Sequence, residues 1–282
     1  MASAVCGVTA GPHLPSAVPA AARKLFFRCR AASTMNEASA SSPDAEEKKT
    51  TTVFVAGSTG RTGKRVVEKL LAIVAGTTDV NRARGSLPQD PNLQLRGLVR
   101  SASRSGPHRP DTPTSPLLGR SYADWAAFFL PPGPAYQVDN FDTVNLVEAC
   151  RKAGVTRFVL ISSILVNGAA MGQLLNPAYI LLNLLGLTLV AKLQAENHIR
   201  KSGINYTIVW PGGLTDQPPT GNIVMEPEDT LYSGSISRSQ VAEVAVEALL
   251  CPESSYKVVE IIARADAPNR PLKDTYAAIK QN

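Results

Sequence analysis

Between Val53 and Leu71 the chain reads VFVAGSTGRTGKRVVEKLL, which places glycines at 57, 60 and 63 with Ser58, Thr59, Arg61 and Thr62 between them. This spacing suits phosphate chemistry. Gly57 lets the chain turn off an apolar strand, Gly60 lets a pyrophosphate approach the backbone with no Cβ in the way, and Gly63 lets the following helix pack close to the sheet. The N–H groups and positive dipole at the helix start complete an anion cradle. Val53, Phe54 and Val55 before the loop and Val66, Val67, Leu70 and Leu71 after it supply the strand and helix that the pattern needs. No Gly-Lys-Ser/Thr ending follows, so the loop predicts dinucleotide binding and not nucleotide hydrolysis. Other chemistries find little support. Cys6, Cys29, Cys150 and Cys251 form no C-x-x-C, and His13, His108 and His198 have no ligand spacing, so neither a metal site nor a disulfide framework is expected. Cys150 and Cys251 end apolar helical patterns and read as packing residues.

A chain of 282 residues, 44% hydrophobic, can bury one large core around this loop. Three parts are expected: a leader at 1–36, a polar spacer at 37–51, and a Rossmann-like domain at 52–282. The leader holds Arg23, Lys24, Arg28 and Arg30 with no Asp or Glu, is rich in Ala, Ser and Val, and is broken by Pro12, Pro15 and Pro19. Such a composition predicts a chloroplast transit peptide removed near Cys29 to Ala32. Four of the cations behind the net charge of +6 therefore belong to the leader, and no nucleic-acid partner is implied.

After the loop helix, Ala72 to Gly76 reads as a second strand. The end of such a strand meets the adenosine ribose, where Asp79 would select NAD and Arg82 or Arg84 would select NADP. Leu93-Gln-Leu95 begins a third strand, and from Arg96 the pattern fails. Residues 96–120 hold five arginines against one acid, and 106–134 hold seven prolines. The interval 96–137 is expected to be irregular, replacing a helix and a buried strand, with a short helix at 125–130. That loss predicts unpaired sheet edges.

Order returns at Val138 with a helix to Lys152, a buried strand at 157–161 running into Ser162-Ser163, and a long helix over 174–200. Its apolar part, 178–191, is too short and interrupted for a membrane span; it reads as a buried or dimer-facing helix, with peripheral membrane contact the alternative. A strand at 205–210 runs into Pro211-Gly212-Gly213, a turn at the carboxyl end where open α/β sheets bind ligands. A short strand at 221–225, a helix capped by Ser237, a strand at 256–263 and a helix at 271–280 complete a doubly wound parallel α/β sheet.

The glycine loop, RFVLISS (157–163), Lys192 with Ala195-Glu196, TIVWPGGL (207–214) and SISRSQVAE (235–243) together resemble the atypical short-chain dehydrogenase/reductases. More narrowly, they are similar to plant chloroplast members related to the dehydrogenase-like component of the inner-envelope protein translocon. The resemblance covers roughly 50–95 and 138–282. It implies an NADP-preferring Rossmann fold, with NAD as the alternative cofactor, in the stroma or at the periphery of plastid membranes. It maps the family's serine to Ser163 and its lysine to Lys192 as catalytic residues, and places Ser162, Pro211, Gly212 and Gly213 beside the cofactor. The proton-transferring tyrosine of active members falls on Thr188, a far weaker acid, and Tyr179 reads as a packed aromatic. Trp210 stands where related chains carry arginine. A reductase of unassigned substrate is thus one expectation. A cofactor-sensing scaffold with a protein or homodimer partner at 178–191 is another, and a chain left without function by an altered reading frame or splicing across 96–137 is a third.

Overall fold

Uncharged runs rich in Val and Ile build the centre of a seven-stranded sheet, and helices cover both of its faces. The structure, a computed structural model, describes residues 3–9, 51–74, 93–98, 136–184 and 186–281. In chain order these form β1 (Ser3–Thr9), β2 (Thr51–Ala56), α1 (Arg61–Val74), β3 (Leu93–Leu98), a π-helical turn (Gln137–Asp142) and α2 (Thr143–Lys152). There follow β4 (Arg157–Ile161), α3 (Pro177–Leu184), α4 (Thr188–Lys201), β5 (Tyr206–Pro211), β6 (Gly213–Thr215) and β7 (Asn222–Pro227). The chain closes with β8 (Ser235–Ser237), α5 (Arg238–Leu250), β9 (Lys257–Arg264) and α6 (Leu272–Ala278).

The sheet order is β3-β2-β1-β4-β5-β9-β7, with β6 and β8 pairing separately. The β2–β3, β4–β5 and β5–β9 pairs are parallel, as expected of a doubly wound sheet. Every residue of β4 is buried, because a parallel sheet covered on both faces leaves no wet side. Val159 and Ile161 point to a core made with Val66 and Leu70 of α1 and Val241, Val244 and Ala245 of α5. Phe158 and Leu160 point the other way, to Val147 of α2 and Leu189 and Ile199 of α4. Ser237 caps α5 in a reciprocal capping box with Gln240, as its sequence predicts.

Four expectations change. Residues 72–74 are helical, so the second strand read at 72–76 does not form there; α1 runs through them. The parallel neighbour of β2 is instead β3, which continues through Arg96 to Leu98 and so shortens the irregular interval at its start. The remainder of that interval up to 135, including the helix expected at 125–130, lies outside the described residues. The long helix over 174–200 is two helices that meet at 86°, with Gly186 at φ 117° and Leu187 at φ 58° in the break. Asn183 ties the break together: its backbone oxygen accepts from the Leu187 N–H (2.7 Å) and its Oδ1 from the Val190 N–H (3.3 Å). No single described helix is long and apolar enough to cross a membrane.

The fourth change concerns the missing central strand. The position between β2 and β4 is filled by β1, antiparallel to both neighbours. The sheet edges expected to lie open are therefore paired, by a strand from the segment that composition reads as a leader.

Candidate functional site

The glycine loop joins β2 to α1. Gly57 sits at φ 73°, a left-handed conformation that glycine adopts without strain, and its carbonyl oxygen accepts from the Gly60 N–H at 2.8 Å. A Cβ on Gly63 would stand 2.2 Å from the Gly57 oxygen, and one on Gly60 would stand 3.1 Å from it. The loop and the start of α1 are therefore packed backbone to backbone, with no room for a side chain at Gly63 and little at Gly60. The first-turn N–H groups of a helix have no acceptor within it, so the start of α1 suits an anionic pyrophosphate. Thr59, Gly60 and Arg61 are exposed at the rim, Ser58 is half-buried, and Thr62 is buried beneath.

The Pro211 turn lies at the carboxyl end of β5. Gly212 donates to the Ile261 oxygen at 2.9 Å and lies so close to Gly234 that a Cβ would stand 2.7 Å from its oxygen; Gly213 donates to that same oxygen at 2.9 Å. The turn is thereby pinned to β8 and β9 and delivers Asp216 to the glycine loop. Asp216 pairs with Arg61 (2.9 Å) and Arg65 (3.3 Å) of α1 and with Arg238 (3.0 Å) of α5. Slight desolvation pushes the Asp216 carboxyl up, but Arg238, Arg61 and Arg65 together hold it below the usual range.

A second polar cluster gathers under β4 and α4. Ser162, the first residue past β4, donates its Oγ hydrogen to Glu196 of α4, and Trp210 of β5 donates its indole N–H to the other carboxylate oxygen at 3.0 Å. Glu196 is fully buried. Its desolvation raises the carboxyl pKa to about 7, against the opposing pull of Ser162, Arg200, Trp210 and Lys192. Lys192, one turn before Glu196, is also buried and pairs with Asp139 of the π-helical turn at 3.2 Å. Asn140 of the same turn donates to Gln194 Oε1 at 2.6 Å, and Tyr136 donates to that oxygen too. Thr188 stands half-buried one turn before Lys192.

Ser162 bonds Glu196 of α4, the helix that also carries Thr188 and Lys192, while Ser163 is half-buried at the strand exit. Tyr179 is a buried packing residue against which Gly168 fits without room for a Cβ. Cys150 and Cys251 are buried free thiols within the core, and no group of described residues has the makings of a metal site. Asp79 and Arg82 lie outside the described residues. Trp210 turns into the core, where its indole N–H holds Glu196. Sequence reasoning assigned no role to Glu196, Asp139 or Asp216. Glu196 had a local signal, its four-residue spacing from Lys192 on one helix face. Asp139 and Asp216 had none, since their partners are 53 and 155 residues distant.

A family model described as NAD(P)H-binding matches residues 119–252. An uncharacterized chloroplastic protein of Arabidopsis thaliana is 60% identical over 241 residues, covering 82% of this chain and 84% of that one. The chloroplastic protein TIC 62 of Arabidopsis thaliana is 32% identical over 271 residues, 86% of this chain, and this chain spans only 40% of its length. Among solved structures, the oxidoreductase ylbE of Lactococcus lactis superposes with a TM-score of 0.51 at 21% identity, over 80% of this chain and 94% of that one; this similarity concerns the fold.

Proposed function

Because the chain belongs to the atypical short-chain dehydrogenase/reductase family of NAD(P)-binding Rossmann-fold proteins, as a plant chloroplast member related to TIC 62, we propose that it is a plastid NADP(H)-dependent reductase. The observation that supports the reading is the loop itself: Gly57 in a left-handed conformation, and Gly60 and Gly63 packed so that a Cβ would stand 3.1 and 2.2 Å from the Gly57 oxygen, which brings the start of α1 close against the end of β2. In this reading Gly57 to Gly63 hold the pyrophosphate, and Ser162, Lys192 and the Pro211-Gly212-Gly213 turn border the nicotinamide half. When bound, the dinucleotide supplies hydride chemistry. The chain's own contribution is a proton held between the Ser162 hydroxyl and the buried Glu196 carboxyl, which takes the place of the tyrosine replaced by Thr188.

Strand order supports a preference for NADP in this reading. The ends of β2 and β3 are level, with Ala56 opposite Leu98, and the chain continues from Leu98 through Val99 to Arg100. The position just past this neighbouring strand is where a dinucleotide fold meets the adenosine ribose, and a guanidinium there suits a 2′-phosphate. Arg100 therefore replaces Arg82 as the proposed selector. The test is titration of the purified full chain with NADPH and NADH. Tighter NADPH binding, a preference lost in Arg100→Ala, is expected; a folded sample that binds neither cofactor refutes the reading.

A second reading, cofactor sensing without turnover, is favoured by Thr188 and by the engagement of Lys192 with Asp139. NADPH oxidation against a panel of carbonyl compounds separates the two. Turnover that falls in Ser162→Ala supports the reductase, and binding without turnover across the panel supports the sensor.

A further inference from the structure

The centre of the sheet is completed by residues that composition assigns to a removable leader. Ser3, Val5 and Gly7 lie opposite Ile161, Val159 and Arg157 of β4, while Val5, Cys6, Gly7 and Thr9 lie opposite Val55, Phe54, Val53 and Thr51 of β2. One seven-residue segment thus pairs on both edges, in the slot where a doubly wound sheet carries a parallel strand. The chemistry of the segment fits that place. SAVCGVT has no charged side chain and holds Val5, Val8 and Thr9, types that suit a strand buried on both faces. The interval that would ordinarily supply the strand carries arginine and proline instead, and proline cannot donate to a ladder.

We infer that Ser3–Thr9 is a working strand of the uncut chain, which carries the centre of its own sheet within its leader, and that the slot between β2 and β4 is a binding site for an extended, uncharged peptide of this kind. The inference is independent of which cofactor the glycine loop binds. Thr9 and Thr51 are opposite one another, so residues 10–50 form a long connection that leaves and re-enters at the same edge. The entropic cost of closing such a connection grows only slowly with its length. Cleavage near Cys29 to Ala32 would fall within this connection. It would turn a tethered strand into a separate peptide, held only by its ladder bonds and stripped of the effective concentration the tether provides. Once that peptide leaves, β2 and β4 present two facing open edges in the middle of the domain.

Hydrogen exchange and thermal unfolding of the full chain test this. The amides of residues 3–9 should exchange as slowly as those of β4, and Gly7→Pro should lower Tm by several degrees, since a proline there removes a ladder N–H from the middle of the sheet. Ser16→Pro, beyond the strand, serves as the control and should leave Tm unchanged. For the chain beginning at residue 37, addition of a synthetic peptide spanning residues 1–12 should raise Tm, and a Gly7→Pro version of the peptide should not. Free exchange at residues 3–9 in the folded full chain, or an equal Tm for Gly7→Pro and the parent, overturns the inference. The exchange measurement decides the matter even where the proline variant fails to fold.

Discussion

At the glycine loop the decisive features are backbone: a left-handed Gly57, and a Gly63 whose Cβ would stand 2.2 Å from a carbonyl oxygen. Two strand positions away, the face of α4 is shaped by buried charge, with Lys192 against Asp139 and Glu196 held by Ser162 and Trp210. The first site has no room for a Cβ at Gly63 and little at Gly60. The second could accept a side chain of similar volume, yet every change of charge there is felt, because desolvation in a low-dielectric interior magnifies each unpaired group. A phosphate site can thus be built from local sterics, whereas a proton-holding site needs elements that are distant in sequence.

The sharpest way to break the comparison is at the loop. Gly60→Glu puts a side chain 3.1 Å from the Gly57 oxygen and a negative charge where phosphate would sit. A loss of NADPH affinity of at least about a thousandfold, roughly 4 kcal/mol, is expected, larger than the loss of stability from the tight Cβ contact. Titration calorimetry and urea unfolding check the two halves of that statement. At the charged site, Lys192→Ala leaves Asp139 buried without its cation and should cost about 3–5 kcal/mol in urea unfolding. The double change Lys192→Met with Asp139→Leu should recover most of it, because an apolar pair of similar volume replaces both charges.

Proton linkage offers a finer distinction. The carboxyl of Glu196, and that of Glu260, are both raised to about 7 by burial, the latter despite N–H donors from Asp229, Thr230 and Leu231. A raised carboxyl binds its proton more tightly in the folded state. Its stabilising contribution is therefore complete below the unfolded value near 4.5 and is lost as pH rises through about 7. Each group accounts for up to about 3 kcal/mol over that window. Glu196→Gln should flatten the fall in stability between pH 5 and 7.5, and an unchanged slope in urea unfolding would contradict the buried-acid account. The smallest effect is expected at Asp216. Asp216→Asn relieves Arg61, Arg65 and Arg238 of their shared anion beside the loop, and NADPH should bind about two- to fivefold more tightly at low salt, less so as salt is raised.

Much of this was legible from residues alone. β4 and the Ser237 capping box fall where the sequence places them, and the strands ending at Pro211 and Arg264 lie within a residue of expectation, because side-chain periodicity and capping act over a few residues. The second strand was misplaced because Ala72, Ile73 and Val74 suit either a buried strand or the end of an amphipathic helix, and a short apolar run does not distinguish them. The break between α3 and α4 was missed because a single Gly186 in an apolar run is tolerated within a helix, and Leu187, the other residue with positive φ there, carries no turn signature.

What the sequence by itself determined is the glycine loop between strand and helix and the alternation of strand and helix, since both follow from steric and periodic rules that operate between near neighbours. Only the tertiary structure decided which strand lies beside which, that Ser3–Thr9 fills the central slot, and that Asp139 and Glu196 surround Lys192. Those outcomes depend on pairings across tens to more than a hundred residues, where the energy of burying a charge or closing a ladder is set by whatever the fold brings alongside.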